Sequence, residues 1–256
     1  MLIDCACNLF AFNDPEIIYQ EAINNDISLI CAGSDSLDNF QLIDFIENKE
    51  RLWGCIGIHP HNASEFNEEL FIKLKELAKN KKIVAIGECG LDYNRLFSSK
   101  QTQINCFKKH IELALELNKP LYLHCREAFG DLLSILKDYP GLCQKSLIHC
   151  FTGNKKEAQQ CLDLGFSLGI TGWIADERRN TDLLDALKTI PKERLVIETD
   201  APYLLPRNHH LKGKNKPVYL TYVLEDLSKE LNIDKEELKE TVNKNTLSLF
   251  NIEKGL

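Results

Sequence analysis

The sequence predicts an α/β protein folded as a TIM-like (β/α)8 barrel. Eight short apolar segments alternate with segments of helical periodicity along its 256 residues, which is the pattern of repeated βα units. Four of the apolar runs end in metal-capable side chains, Glu88, His124, His149 and Asp200, as strand ends converging on one mouth would. The length also suits a single core, because barrels of this kind reach about 250 residues as one domain. Residues 1–256 are therefore read as one domain.

The expected strands are 2–5, 28–32, 52–58, 83–87, 121–124, 146–149, 166–170 and 195–198. Each is short, apolar and rich in β-branched or small residues, as strands buried on both faces are. The run Ile83-Val84-Ala85-Ile86 delivers Glu88, with Gly87 and Gly90 bracketing the acid as turn residues. Helical spacing is expected over 15–24, 37–47, 68–78, 101–117, 128–136, 155–164 and 181–190. In the fourth of these, Ile104, Phe107, Ile111, Ala114 and Leu115 share one face. A proline-punctuated loop, Asp200 to Pro206, then leads to two further helices over 218–231 and 234–250. An open doubly wound sheet would spread the four polar strand ends along a line, whereas a barrel makes them neighbours.

Composition narrows the function. Hydrophobic residues make up 44% of the chain, enough for a large core, and the formal charge is −7. With so acidic a balance, an anionic substrate has to be held by local cations or a bound metal. Ten cysteines in a chain of this size read as reduced thiols, because a large core needs no disulfide staples. Cys5-Ala6-Cys7 lacks the usual zinc spacing and reads as packing. The stretch Met1–Leu9 carries no lysine or arginine, and no apolar run approaches about 18 residues, so neither a signal peptide nor a spanning helix is expected. A soluble, cytoplasmic monomer with no membrane partner is expected.

Glu88, His124, His149 and Asp200 offer two imidazoles and two carboxylates, a mixture suited to a divalent ion that keeps positions open for water and substrate. One histidine at a barrel rim would be read as merely hydrogen-bonded, but two beside two acids favour a metal site. Glu88 is expected as both ligand and catalytic group. Asp200 is either a ligand or the base that takes a proton from water. Cys89, Cys125 and Cys150 each follow a proposed ligand, and strand alternation turns them away from the mouth.

His59-Pro60-His61, at the end of the third expected strand, is suited to phosphate oxygens or a second ion and is assigned to substrate contact, with a capping or structural role as the alternative. Arg126, Arg178, Arg179 and Arg207 fall in expected loops after strands five, seven and eight and are assigned to phosphates. Lys212, Lys214 and Lys216 add a basic stretch. Tyr93, Phe151, Trp173 and Tyr203, in the same loops, are suited either to stacking bases of a single strand or to plugging the barrel top.

Five blocks, Gly87-Glu-Cys-Gly-Leu-Asp-Tyr93, Leu123-His-Cys-Arg126, Ile148-His-Cys-Phe-Thr-Gly153, Gly169-Ile-Thr-Gly-Trp173 and Glu198-Thr-Asp-Ala-Pro-Tyr203, resemble the signatures of the TatD metal-dependent deoxyribonucleases. The resemblance covers nearly the whole chain. It implies a barrel of the metal-dependent hydrolase (amidohydrolase) superfamily that cleaves phosphodiester bonds with a divalent cation, usually magnesium. By the same resemblance Glu88, His124 and His149 are metal ligands, and Asp200 stands at the catalytic end of the last strand. Most of the family carries a His-x-His pair on the first strand, where this chain has Ala6 and Asn8. That departure, with Asp176-Glu-Arg-Arg179 and Ala201 to Arg207, is similar to the branch described as 3′-to-5′ exonucleases on single-stranded DNA and RNA. Without the pair, a second ion is expected to bind weakly until substrate phosphate completes its shell.

The expected activity is thus a metal-dependent nuclease, using Mg2+ with Mn2+ or Zn2+ as alternatives. A hydrolase of a C–N or ester bond, in a small molecule or an aminoacyl-tRNA, would need the same ligands. A non-catalytic binder is the third class, suggested by the missing histidine pair.

Overall fold

The computed structural model describes residues 1–253, and the last three residues of the expected 1–256 domain lie outside this range. Its strands are β1 (Leu2–Cys7), β2 (Ile27–Ala32), β3 (Leu52–Ile56), β4 (Ile83–Asp92), β5 (Leu121–Arg126), β6 (Leu147–Ile148), β7 (Ser167–Ile170) and β8 (Leu195–Ile197). They form one sheet in the order β1 to β8. The pairings β3–β4, β4–β5, β5–β6 and β7–β8 are parallel. The first strand also meets the chain leaving the last one. Cys7 bridges Ala201 in parallel, and the N–H groups of Asp200 and Asn8 donate to the carbonyls of Ala6 and Ala201 at 2.9 and 2.8 Å. A sheet whose first and last strands pair leaves almost no free edge, so the strands form the nearly closed barrel the sequence predicts.

By their contacts the residues group into two compact units. One comprises Met1–Ile30, Cys150–Asp163 and the chain from Ser167, and the other Cys31–His149 with Leu164–Phe166. Helices α1 (Pro15–Asn24), α2 (Ser36–Ile46), α3 (Glu68–Leu77) and α4 (Lys100–Leu117) each start where a short polar side chain accepts from the first turn. Asp14, Asp35, Asn67 and Ser99 are those caps, satisfying N–H groups that no helix can satisfy internally. The remaining helices are α5 (Phe129–Leu136), α6 (Pro140–Cys143), α7 (Lys155–Leu164), α8 (Thr181–Leu187), α9 (Leu220–Leu231) and α10 (Lys235–Leu249). The four-residue α6 has no counterpart in the sequence expectation, being too short for periodicity to reveal.

One departure from expectation matters for function. β4 does not turn after Gly87 but runs on to Asp92, pairing Cys89 with Leu123 and Gly90 with His124. The two glycines are needed for a different reason than a turn. A Cβ at Gly87 would stand 2.1 Å from the Tyr122 carbonyl oxygen, and one at Gly90 2.1 Å from that of His124. Both also hold positive φ, +148° and +132°, where a side chain is strained.

All ten cysteines are reduced thiols, and nine are buried. No helix among the described residues is long and apolar enough to cross a membrane.

Candidate metal centre

In the unit that contains β3 to β6, four histidines and two acids gather from strand ends. His59 and His61 follow β3, Glu88 and Asp92 lie on β4, His124 lies on β5, and His149 follows β6. Glu88 Oε1 is 3.0 Å from His124 Nδ1, 3.5 Å from His59 Nε2 and 3.7 Å from His149 Nε2. Ligand atoms of His59, Glu88 and His124 all lie within 4.8 Å of one another. Of the four strand-end residues expected to gather, Glu88, His124 and His149 lie together here, although 61 positions separate the first of these from the last.

Hydrogen bonds on the far side of each ring decide what its near side can offer. His59 Nδ1 accepts the backbone N–H of His61 at 3.1 Å. Burial pushes this imidazole down to a pKa of about 3, so the ring is neutral and carries its proton on Nε2. His59 thus presents a donor toward His124 Nδ1, 3.2 Å away, and toward Glu88, not a lone pair. His124 Nε2 lies 3.0 Å from Asp92 Oδ2, and an N–H donated there leaves Nδ1 as a lone pair facing Glu88. His149 Nδ1 lies 2.9 Å from the hydroxyl of buried Tyr122, and a proton donated there leaves Nε2 as the second lone pair. One carboxylate oxygen with imidazole nitrogens 3.0 and 3.7 Å away is the kind of donor set that suits a divalent cation with positions left open.

The electrostatics describe the protonated form, in which a proton on His124 Nδ1 faces Glu88 where a divalent cation would displace it. Burial opposes ionisation of Glu88, but the imidazoles of His59, His149 and His124 outweigh it and hold the carboxyl below the usual range. Asp92 is likewise held down against burial by His124 and the N–H of Arg95. Burial pushes His124 down, and its hydrogen bonds to Asp92 and Glu88 more than compensate, leaving its pKa raised. His61 Nε2 also reaches Asp92 Oδ2, at 2.9 Å, so Asp92 serves two imidazoles with one oxygen. Arg126 ends β5 with an exposed side chain.

In the other unit, Asn8 Nδ2 donates to Asp200 Oδ1 at 2.9 Å and to the Ala201 carbonyl at 3.3 Å. At position 8 the Asp200 carboxylate thus meets an amide donor. Three of the predicted phosphate-binding arginines gather around Asp176, which is 2% exposed. Arg178 donates to both of its oxygens at 2.7 and 2.6 Å, Arg179 to Oδ2 at 2.9 Å, and Arg207 Nε lies 3.6 Å from Oδ2. Arg179 also lies over the Trp173 ring, 3.5 Å from its centroid. Of the aromatics proposed from the sequence, Phe151 is buried to 1% and is a core residue. Tyr93 has its hydroxyl on Asp131 at 2.7 Å and the Lys100 ammonium over its ring.

Asp92, Tyr122 and Asp176 escape the sequence reading. Asp92 is four residues beyond Glu88, so on a continuous strand the two share a face, but the two glycines read as the end of that strand. Tyr122 sits two residues before His124 inside an apolar run, where an aromatic reads as packing.

The family model for TatD related DNase matches residues 3–251. The 3′-5′ ssDNA/RNA exonuclease TatD of Pantoea vagans is 41% identical over 259 residues, covering 98% of this chain and all of that protein. The protein of the same name from Pantoea ananatis is 38% identical with the same coverage. Among solved structures, a TatD homologue from Escherichia coli K12 superposes with a TM-score of 0.89 at 25% identity over 98% of both chains. A TatD family hydrolase from Entamoeba histolytica gives 0.85 at 28% identity over 97% of both. A phosphotriesterase homology protein from Escherichia coli, at 0.65 and 11% identity, shares the fold alone. With matches that run from end to end at more than one third identity, this chain belongs to the family of TatD related DNases.

Proposed function

We propose that the chain is a divalent-metal-dependent nuclease that shortens single-stranded DNA and RNA from the 3′ end, with magnesium as its metal. The observation that carries this reading is the donor set of Glu88 Oε1, His124 Nδ1 and His149 Nε2, gathered around one carboxylate oxygen. When bound there, a divalent cation supplies Lewis-acid polarisation of a phosphoryl oxygen. His59 donates its Nε2 proton to a phosphate oxygen, and His61, held by Asp92, lies beside it with ring centroids 4.3 Å apart. Asp200 orients the attacking water and takes its proton, as a carboxylate base does. Arg126, Arg178, Arg179 and Arg207 hold flanking phosphates, for which the planar guanidinium fork is suited.

Neither Ala6 nor the Asn8 amide supplies an imidazole lone pair, which supports one tightly held ion and a second recruited with substrate. The names of the Pantoea relatives support the polarity and substrate. We read residues 1–256 as one domain acting as a monomer, and ten reduced thiols fit a reducing, cytoplasmic setting.

The test is a ladder assay on 5′-labelled single strands with Mg2+, Mn2+ or Zn2+ supplied in turn. Stepwise shortening that stops with a chelator, and in Glu88→Ala and His149→Ala, is the expected result. Full turnover by either variant, or preference for an amide or aminoacyl ester over the oligonucleotide, would overturn it.

A further inference from the structure

Phe97 is 70% exposed, and its neighbour Leu96 is 54% exposed. An aromatic ring left in water forgoes the transfer free energy that buries most phenylalanines, and a mobile loop would let it fold back onto the protein. This loop is anchored on both sides of the ring. The Arg95 N–H donates to Asp92 Oδ1 at 2.8 Å. The buried Ser98 hydroxyl donates to the His61 carbonyl at 3.0 Å and accepts the Ser64 N–H at 3.1 Å. Buried Gln103 ties the two anchors together, donating to the carbonyls of Asp92 and Ser98 at 2.9 and 3.0 Å. Phe97 is thus held out in solvent by the residue that orients His61 and His124. Its ring stands edge-on to His61 with centroids 5.0 Å apart, and His61 in turn is 4.3 Å from His59. An open aromatic surface therefore adjoins the imidazoles of the metal centre, with the exposed Arg95 in the same loop.

Resting on the nuclease reading, we propose that Phe97 is a stacking platform for a nucleobase next to the scissile phosphate. Stacking of this kind tolerates any base, because every base has a π-face. The site therefore senses that a base is present and not which one. A pre-anchored ring also binds without an ordering cost, which is the advantage of holding it outside the core.

Binding of the full chain to fluorescent single strands in chelated buffer tests this, using strands of one length that end in intact nucleotides or in abasic sites. Wild type should favour the intact strand by about tenfold or more. Phe97→Ala should abolish that preference, and Phe97→Trp should keep it. With metal supplied, Phe97→Ala should raise KM for the intact strand and leave that for the abasic strand in place. Equal affinity of wild type for both strands, or a preference that survives in Phe97→Ala, overturns the platform. So does a wild-type dimer in sedimentation that Phe97→Ala dissociates. Failure of the nuclease reading is seen separately, as absence of metal-dependent shortening by wild type.

Discussion

Asp92 and His124 face one another across 3.0 Å, Oδ2 to Nε2, while the other nitrogen of the same ring lies 3.0 Å from Glu88. An imidazole held between two carboxylates has a fixed plane and a fixed tautomer once a cation occupies the Glu88 side. Asp92 itself is anchored, since its backbone N–H donates to Gln103 Oε1 at 2.8 Å. Asp92→Asn should therefore weaken metal binding by about 10- to 100-fold with folding intact. Calorimetric titration with Mn2+ checks it, and an unchanged affinity would remove Asp92 from this role.

The Tyr122 hydroxyl does for His149 what Asp92 does for His124, at 2.9 Å and in a fully buried setting. Its ring also lies against that of His149, with centroids 5.1 Å apart. Tyr122→Phe keeps the ring and removes only the oxygen. We expect roughly tenfold weaker metal binding and a small change in thermal stability, measured on the same samples by Mn2+ titration and melting. A large drop in stability at unchanged affinity would mean the hydroxyl serves packing instead.

Gly90 admits no side chain, because a Cβ would meet the His124 carbonyl oxygen at 2.1 Å and φ is +132°. Clash and backbone strain add, so Gly90→Ala should cost about 3 kcal/mol or more in urea unfolding. A loss below about 1 kcal/mol would show that β4 and β5 can separate there.

Burial raises the Asp4 carboxyl from 3.8 to about 8, against hydrogen bonds from Thr199 and Ala6. The folded chain then keeps a proton that the unfolded chain releases above about pH 4. The stability this proton contributes is whole below the unfolded value and lost as pH rises through the folded one. Stability should fall across that window, by at most about 1.4 kcal/mol per pH unit. Asp4→Asn has no proton to lose and can keep the contacts to Thr199, so its profile should be flatter. Urea unfolding at pH 5 and pH 8 compares the two proteins, and identical slopes would exclude Asp4 as the titrating group.

Much of this molecule can be read along the chain because the relevant signals are local. Strand after strand is apolar for four to six residues, and the residue that ends the run is polar, so Glu88, His124 and His149 announce themselves at strand ends. Helix caps such as Asp14, Asn67 and Ser99 are equally short-range. What escapes depends on which strand lies beside which, and in what register. Gly87 and Gly90 read as turns until β5 passes against them, and only then does β4 continue to Asp92. Likewise Arg178, Arg179 and Arg207 read as separate surface cations until one buried carboxylate, Asp176, draws them together.

By itself, then, the sequence determined the order of the strands, the barrel they close into and the chemical types at their ends. Tertiary structure alone decided which nitrogen of each imidazole faces Glu88, since that is set by Asp92, Tyr122 and the His61 N–H on the far side of each ring. It also decided that Phe97 stays in water, since the bonds holding it there come from Asp92, His61 and Gln103 and have no signature in the residues around it.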